Sequence, residues 1–437
     1  NLSISQISGG VTNLLYLVSL STDVCGFGGD GVKRVLIRVF GEKTEYLIDR
    51  PRERVLFRWL SERGIVPQYL GGFSNGRLEA YVDSRCLESP EMRLPAMIPI
   101  IVKKTVEVHR AEIPSSISSM YGAVGMPTSP PSHPTTSIVS PTLWAKLVRW
   151  VPLAKSVGLS EERACAILRG LLDGGGMSQV EREVAWLKTV IPSELNDHGS
   201  LFVERAEKAG NHALARAWKF VSDVVFAHND ILANNMLLPT AEERRLRRIG
   251  VLPAPSASDA TAKGAARDGH AGYEVKEEKA SAGGGGGGDG GGDGGGGGEG
   301  GEENGGEEGI ALGKSLLFID FEYSWFNYRG FDLGNHFCEY AGFDFYPKDY
   351  PTTEEKRRYL RNYVDAWSKT EGDGYKPWTE EDIEALIQVV DKFSITSSLF
   401  WAIWAIVQAQ NSKIDFDFIG YADTRLKFYI HHKKLFF

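Results

Sequence analysis

Cysteine is scarce in this chain: Cys25, Cys86, Cys165 and Cys338 are the only four in 437 residues. No two of them have a spacing suited to zinc, and their sparseness suits a reducing, cytoplasmic setting. No basic run of the kind a nucleic-acid binder needs is present, so nucleic acid is not an expected partner. Long apolar stretches are missing too. The longest, Leu399 to Val407, is about half of a membrane span, and stable membrane insertion is not expected. No cationic and apolar leader precedes the first motif, although a start at Asn1 rather than Met leaves an upstream portion, with any targeting segment, open. There is no internal repeat.

What is present is enough for a sizeable core: 42% hydrophobic residues and ten Trp. The length fits two domains, or one two-lobed body with insertions. The formal charge of -8 says little about that body. Residues 283–309 hold seven acidic and no basic side chains, and the rest of the chain is left with roughly -1. The same run holds 19 of the 50 Gly, and such a composition cannot bury enough apolar surface to offset its ordering entropy. Residues 240–313 are therefore expected to be a disordered insertion. Residues 114–141, rich in Ser, Pro and Thr, are expected to be a second.

The informative stretch is His228-Asn229-Asp230-Ile231-Leu232-Ala233-Asn234-Asn235, followed far along the chain by Phe318-Ile319-Asp320-Phe321-Glu322-Tyr323. An Asp five positions before an Asn, then a second Asp after an apolar run, is the spacing that phosphoryl transfer from ATP uses. Asp230 is the candidate catalytic residue, because a primary alcohol is too weakly acidic to ionise without a carboxylate to orient it and take its proton. Asn235 and Asp320 are candidate ligands of Mg2+, which prefers hard oxygen donors, and Glu322 is a candidate for a second metal or its waters. Met236-Leu237-Leu238 and Ser315 to Ile319 read as the strands of a hairpin that brings Asn235 to Asp320, and the insertion then sits at its tip. His228 is expected to position the loop through its ring.

Upstream, Ser8 to Asn13 reads as a turn entering a strand, and Lys33 to Phe40 alternates as a second strand. Residues 49–63 have helical periodicity, and 69–73 with 77–82 form a hairpin around Asn75-Gly76. Gly9, Gly10 and Asn13 could lie over phosphates through backbone N–H groups. Arg38 occupies the strand position of a phosphate-pairing cation, with Glu53 on the following helix as its expected anchor. Tyr81 and Val82 fit a hinge beside adenine. Beyond this β-rich part, helices are expected near 96–110, 142–151, 160–172, 177–191, 211–222, 352–367, 379–410 with a break, and 420–434.

The segments Ile319 to Tyr323, Asn327 to Glu339 and Trp401 to Ala409 resemble the choline/ethanolamine kinase family, and the similarity runs from about Ser8 to the end of the chain. The resemblance implies an α+β, two-lobed protein-kinase-like fold of the aminoglycoside/choline kinase type. Residues 1–82 would form the small β-rich nucleotide-binding lobe and residues 83–437 the large helical lobe. It implies ATP and Mg2+ as cofactors and a small amino alcohol as partner; a homodimer is compatible with it. It also carries Trp401, Trp404, Phe416 and Tyr421 over as the lining of a cation pocket with Glu339 as acidic partner, where the aromatic spacing alone fits core better. Asp332 is expected to cap the helix that begins at Leu333 and to brace the catalytic loop. After Glu339 the chain reads Tyr340-Ala341-Gly342-Phe343-Asp344, closer to the ethanolamine branch. The expected activity is ATP-dependent ethanolamine phosphorylation, the first step toward phosphatidylethanolamine. Choline or dual specificity is the alternative, and an inactive kinase-like scaffold is the remote one.

Overall fold

In the computed structural model, the structure describes residues 2–7, 12–20, 34–120, 141–157, 170–171, 178–193, 199–253, 275–276, 316–342, 346–369 and 376–437. Alternating apolar positions pair the N-terminal strands into an antiparallel sheet. These are β1 (Leu2–Ile7), β2 (Asn13–Leu20), β3 (Arg34–Phe40), β4 (Tyr69–Phe73) and β5 (Gly76–Ala80). β1 precedes the expected first turn and was not foreseen. Inward residues Ile7, Leu15, Leu17 and Leu36 form this lobe's own small core. Helix α1 (Arg50–Glu62) packs beside the sheet; Asp49 accepts the Arg52 amide at 3.0 Å as its N-cap, and Pro51 occupies its first turn.

Strand β6 (Ser84–Cys86) leads into the second lobe, where the first helices are α2 (Ile98–His109), α3 (Ser115–Met120), α4 (Thr142–Lys155), α5 (Gln179–Val190), α6 (Ser200–Lys208) and α7 (His212–Ser222). The expected helix at 160–172 lies almost wholly outside the described residues, and α6 was not anticipated. Two further short sheets frame the site. Strand β7 (Val224–Ala227) runs into His228, and β8 (Met236–Pro239) leaves Asn235.

The two expected disordered stretches are corrected where they are described. Residues 240–248 form helix α8 (Thr240–Arg248), because Glu242 and Glu243 sit at its N-terminal end and pair with Arg245 and Arg247. Glu243 also binds Arg85 at 2.8 Å, and Leu246 is buried. Likewise 115–120 is helical, with Ile117 buried against the core. Val275 and Lys276 form β9 (Val275–Lys276), paired with Ile7 and Gln6 at the edge of the first sheet. Residues 121–140, 254–274 and 277–313 lie outside the described residues.

After β10 (Leu317–Phe318) and β11 (Trp325–Tyr328) come α9 (Arg329–Glu339), α10 (Thr353–Ser368), α11 (Glu380–Asn411) and α12 (Phe418–Phe436). β10 pairs with β8 in the expected hairpin, Leu317 opposite Leu237 and Phe318 opposite Met236, and β11 pairs with β7. Every residue of α9 is buried. It lies against α11 at backbone distance: a Cβ on Gly334 would stand 2.6 Å from the Ser394 amide nitrogen, and one on Gly330 would stand 2.6 Å from the Phe393 ring. The expected break in α11 does not occur. Its polar stretch turns inward on the helix, with the Ser394, Thr396 and Ser398 hydroxyls donating to carbonyls four residues back. The helix therefore crosses the core as one 32-residue rod.

Candidate active site

Antiparallel pairing of β7 with β11 and of β8 with β10 holds the two halves of the catalytic motif on adjacent backbones. The Ile319 amide donates to the Asn235 carbonyl at 2.9 Å, which sets Asp320 beside Asn235. Asp320 (φ 64) and Asn229 (φ 67) both adopt the left-handed backbone that Asp and Asn tolerate better than other side chains. The loop between β7 and β8 is fastened from below. Asp332 accepts the His228 amide at 2.8 Å and the Asn229 amide at 2.7 Å, and His109 Nε2 lies 2.9 Å from the same carboxylate. Asp332 thus braces the loop as expected, but it caps no helix: α9 begins three residues earlier and has no side-chain cap. His228 Nε2 meets the Ile319 carbonyl at 2.9 Å, tying the loop to the turn, and burial holds the His228 pKa below its usual value.

Asp230 sits at the open side of this frame, half-buried. Asn235 Nδ2 donates to its Oδ2 and to its backbone carbonyl, both at 3.0 Å. Burial, then the nearby Glu339 and Asp320 carboxylates, push the Asp230 carboxyl well above the ordinary range, with Arg425 opposing. A carboxylate so destabilised is a better proton acceptor than a solvated one. With its amide nitrogen committed to Asp230, Asn235 has its oxygen left to offer a cation. Asp320 is the other hard donor; its carboxylate is 27% exposed and meets Arg38 Nη1 at 3.4 Å. This donor pair fits Mg2+, which takes few protein oxygens and keeps waters or phosphates for the rest.

Glu322 is placed differently from the expected metal ligand. Both of its oxygens are occupied, one by the Thr12 hydroxyl at 2.7 Å and the other by Asn13 Nδ2 at 3.0 Å and Arg50 Nη1 at 3.1 Å. It clamps the first residues of β2 to the catalytic turn. Burial first, and then Asp320, raise its pKa to about 7. The Asn13 side-chain amide donates into this clamp, and Gly9 and Gly10 lie outside the described residues.

Arg38 is not held by Glu53. Its Nε donates to Glu79 Oε1 at 3.0 Å, and the same oxygen accepts Arg77 Nε at 2.7 Å. Arg77 then reaches Glu53 at 2.5 Å, Glu53 pairs with Arg50 at 2.6 Å, and Arg50 reaches Glu322. The ion pairs run without interruption from Asp320 through Arg38, Glu79, Arg77, Glu53 and Arg50 to Glu322, two residues beyond the start. Four carboxylates face three guanidinium groups along this run. Reading by position missed Glu79, Arg77 and Arg50, whose only sequence signal is alternation on β5 and proximity to Glu53.

Tyr81 and Val82 line a small cleft between the lobes together with Leu36, Ala80, Leu237 and Ile319. Its lining is mostly apolar.

Near Asp230 stands an aromatic group. Trp401 and Trp404 lie 5.4 Å apart between ring centres and nearly perpendicular, and Tyr323 stands edge-on to both. The Trp404 indole donates to the Tyr323 hydroxyl and the Trp401 indole to Asn335 Oδ1, each at 2.8 Å. Tyr421 and Phe418 flank Trp404, and Phe416 flanks Tyr421. Glu339 is buried here, but Arg425 Nη2 binds its carboxylate at 2.6 Å, so it is not a lone anion. Tyr323 and Arg425 were both missed as pocket residues; Tyr323 lies inside the catalytic motif itself.

The model of the family described as choline/ethanolamine kinase matches residues 4–430. A probable ethanolamine kinase of Arabidopsis thaliana is 26% identical over 100% of this chain and 80% of its own length. A choline/ethanolamine kinase of Rattus norvegicus is 26% identical over 99% of the chain and 80% of its own. Among solved structures, an ethanolamine kinase of Plasmodium vivax superposes with a TM-score of 0.59 at 22% identity, covering 98% of this chain and 81% of that one. A choline kinase of Cryptosporidium parvum superposes at 0.57 with 19% identity, covering 99% and 89%. These two likenesses establish the two-lobed kinase-like fold.

Proposed function

Because the chain belongs to the choline/ethanolamine kinase family and is a phosphotransferase with an alcohol as acceptor, we propose that its substrate is ethanolamine and its product phosphoethanolamine. The observation that carries this reading is the nearness of the Asp230 carboxylate to the aromatic group: burial, then Glu322 and Asp230, push the Tyr323 pKa well above its usual value, and the Tyr323 ring meets those of Trp401 and Trp404. A cationic amine is attracted to the faces of such rings, while an alcohol two carbons away can reach the carboxylate.

In this reading Asp230 orients the substrate hydroxyl and takes its proton as oxygen attacks the terminal phosphorus of ATP, whose bond to the bridging oxygen breaks to release ADP. Arg38, held by Glu79, stabilises charge on the phosphates with a fixed guanidinium fork. Asn235 and Asp320 would hold Mg2+, which would neutralise charge on the phosphate oxygens. Asn235 also keeps the Asp230 carboxylate facing the acceptor through its 3.0 Å hydrogen bond. The motif following Glu339 and the names of the relatives favour ethanolamine over choline.

Steady-state kinetics with each alcohol, ATP and Mg2+ test this. A higher kcat/KM for ethanolamine is expected. A higher value for choline would reverse the assignment, and turnover of neither with intact ATP binding would leave a kinase-like scaffold.

A further inference from the structure

Lys146, on α4, is buried, and its Nζ has no hydrogen-bond partner among the described residues. Its amine lies between two rings, 4.6 Å from the centre of Tyr323 and 5.2 Å from that of Trp150. Tyr323 also stands against Trp401 and Trp404, so one tyrosine forms a wall shared by two cages. One cage is filled by a lysine of the protein, and the other is the proposed amine pocket. Nothing in the proton transfer derived above uses Lys146.

We propose that Lys146 is a positioning and specificity residue, which supports the Tyr323 ring from behind and, through its own charge, sets how strongly that ring attracts the substrate ammonium. An aromatic face attracts a cation through its quadrupole, and a second cation on the same ring opposes the first by direct repulsion. Without a charge on Lys146, Tyr323 is fully available to the substrate. With a charge there, affinity for a cationic substrate falls.

The surroundings disfavour the charged amine. Burial, and Arg52 from α1 and Arg149 from the same helix, push the Lys146 pKa well below the usual lysine value, while Glu322 on the catalytic turn and Asp230 on the loop oppose this. Acidification therefore places a new positive charge behind the pocket wall.

The inference rests on the reading of the aromatic group as the amine site. The test is the pH dependence of KM and kcat, with choline as a probe whose charge does not titrate and ethanolamine beside it. In the wild-type enzyme, KM for choline should rise on acidification, on the order of tenfold for full protonation of one amine at this separation. Lys146→Met keeps the length without the charge and should flatten the KM profile while the kcat profile keeps its shape. Lys146→Arg, charged throughout, should show the high KM at every pH. Parallel KM profiles in wild type and Lys146→Met, or wild-type affinity in Lys146→Arg, would overturn the proposal. If wild type binds neither alcohol by calorimetry, the functional reading fails first and takes this inference with it.

Discussion

Arg38 and Arg77 stand directly opposite each other on adjacent antiparallel strands, and both donate through Nε to a single atom, Oε1 of Glu79. Like charges in register are unfavourable, so the acceptor between them is what allows the pair. Arg77 is fully buried, and its guanidinium also lies 3.9 Å from the Phe57 ring.

Replacing Arg77 with Ala would strip Glu53 and Glu79 of a shared partner in a dry interior. A loss of about 3–5 kcal/mol in stability is expected from such uncompensated burial. Urea unfolding followed by tryptophan fluorescence measures it, and a loss under about 1 kcal/mol would contradict the network.

Asp230→Ala should lower kcat by about three orders of magnitude or more while ATP affinity stays within a few-fold, because the side chain faces the acceptor rather than the cleft at Tyr81 and Val82. Single-turnover rates and calorimetric titration with ATP separate the two quantities.

The acid limb of kcat/KM should lie above the usual aspartate range. Catalysis needs the ionised form of Asp230, and burial with Glu339 and Asp320 nearby raises its pKa, so activity is lost earlier as pH falls. Glu339→Gln removes one of these charges and should move that limb toward lower pH. A limb that stays in place would show Glu339 to be electrostatically remote.

Glu322 gives a stability prediction of opposite sense to acid denaturation. Its pKa is raised to about 7 in the folded protein by burial and Asp320, above the ordinary 4.5. The folded state therefore binds this proton more tightly, and the contribution is fully present below the ordinary value and lost as pH rises through 7. In nucleotide-free enzyme, melting temperature should show a fall over that window that is absent in Glu322→Gln. Identical profiles for both proteins would assign the effect elsewhere.

Deleting residues 254–308 should leave kcat within a few-fold. The hairpin of β8 and β10 and the helix α8 lie outside that range, and the described part that is lost is the two-residue β9 at the sheet edge. A collapse in turnover would assign the insertion a role in the site.

The chemistry was legible in the sequence because it rests on local spacing. Asp230 and Asn235 lie on one short loop, and the apolar strands on either side of the insertion can pair in only one sensible register, which carries Asp320 to them. The reading of Trp401 and Trp404 as an amine pocket came only through resemblance, since Trp at helical spacing is more often a core pattern. Tertiary structure decided what the chain order cannot encode, namely which charge meets which. Glu53 is near Arg38 by analogy of position, yet Arg77 lies between them, so Glu79 became the anchor. Glu322 was drawn into the clamp with Thr12 and Arg50, and Lys146 was enclosed between two rings. Composition and periodicity fix which face of an element is buried. The pairing of ions within that face depends on side-chain reach across elements far apart in the chain, and only the folded arrangement sets it.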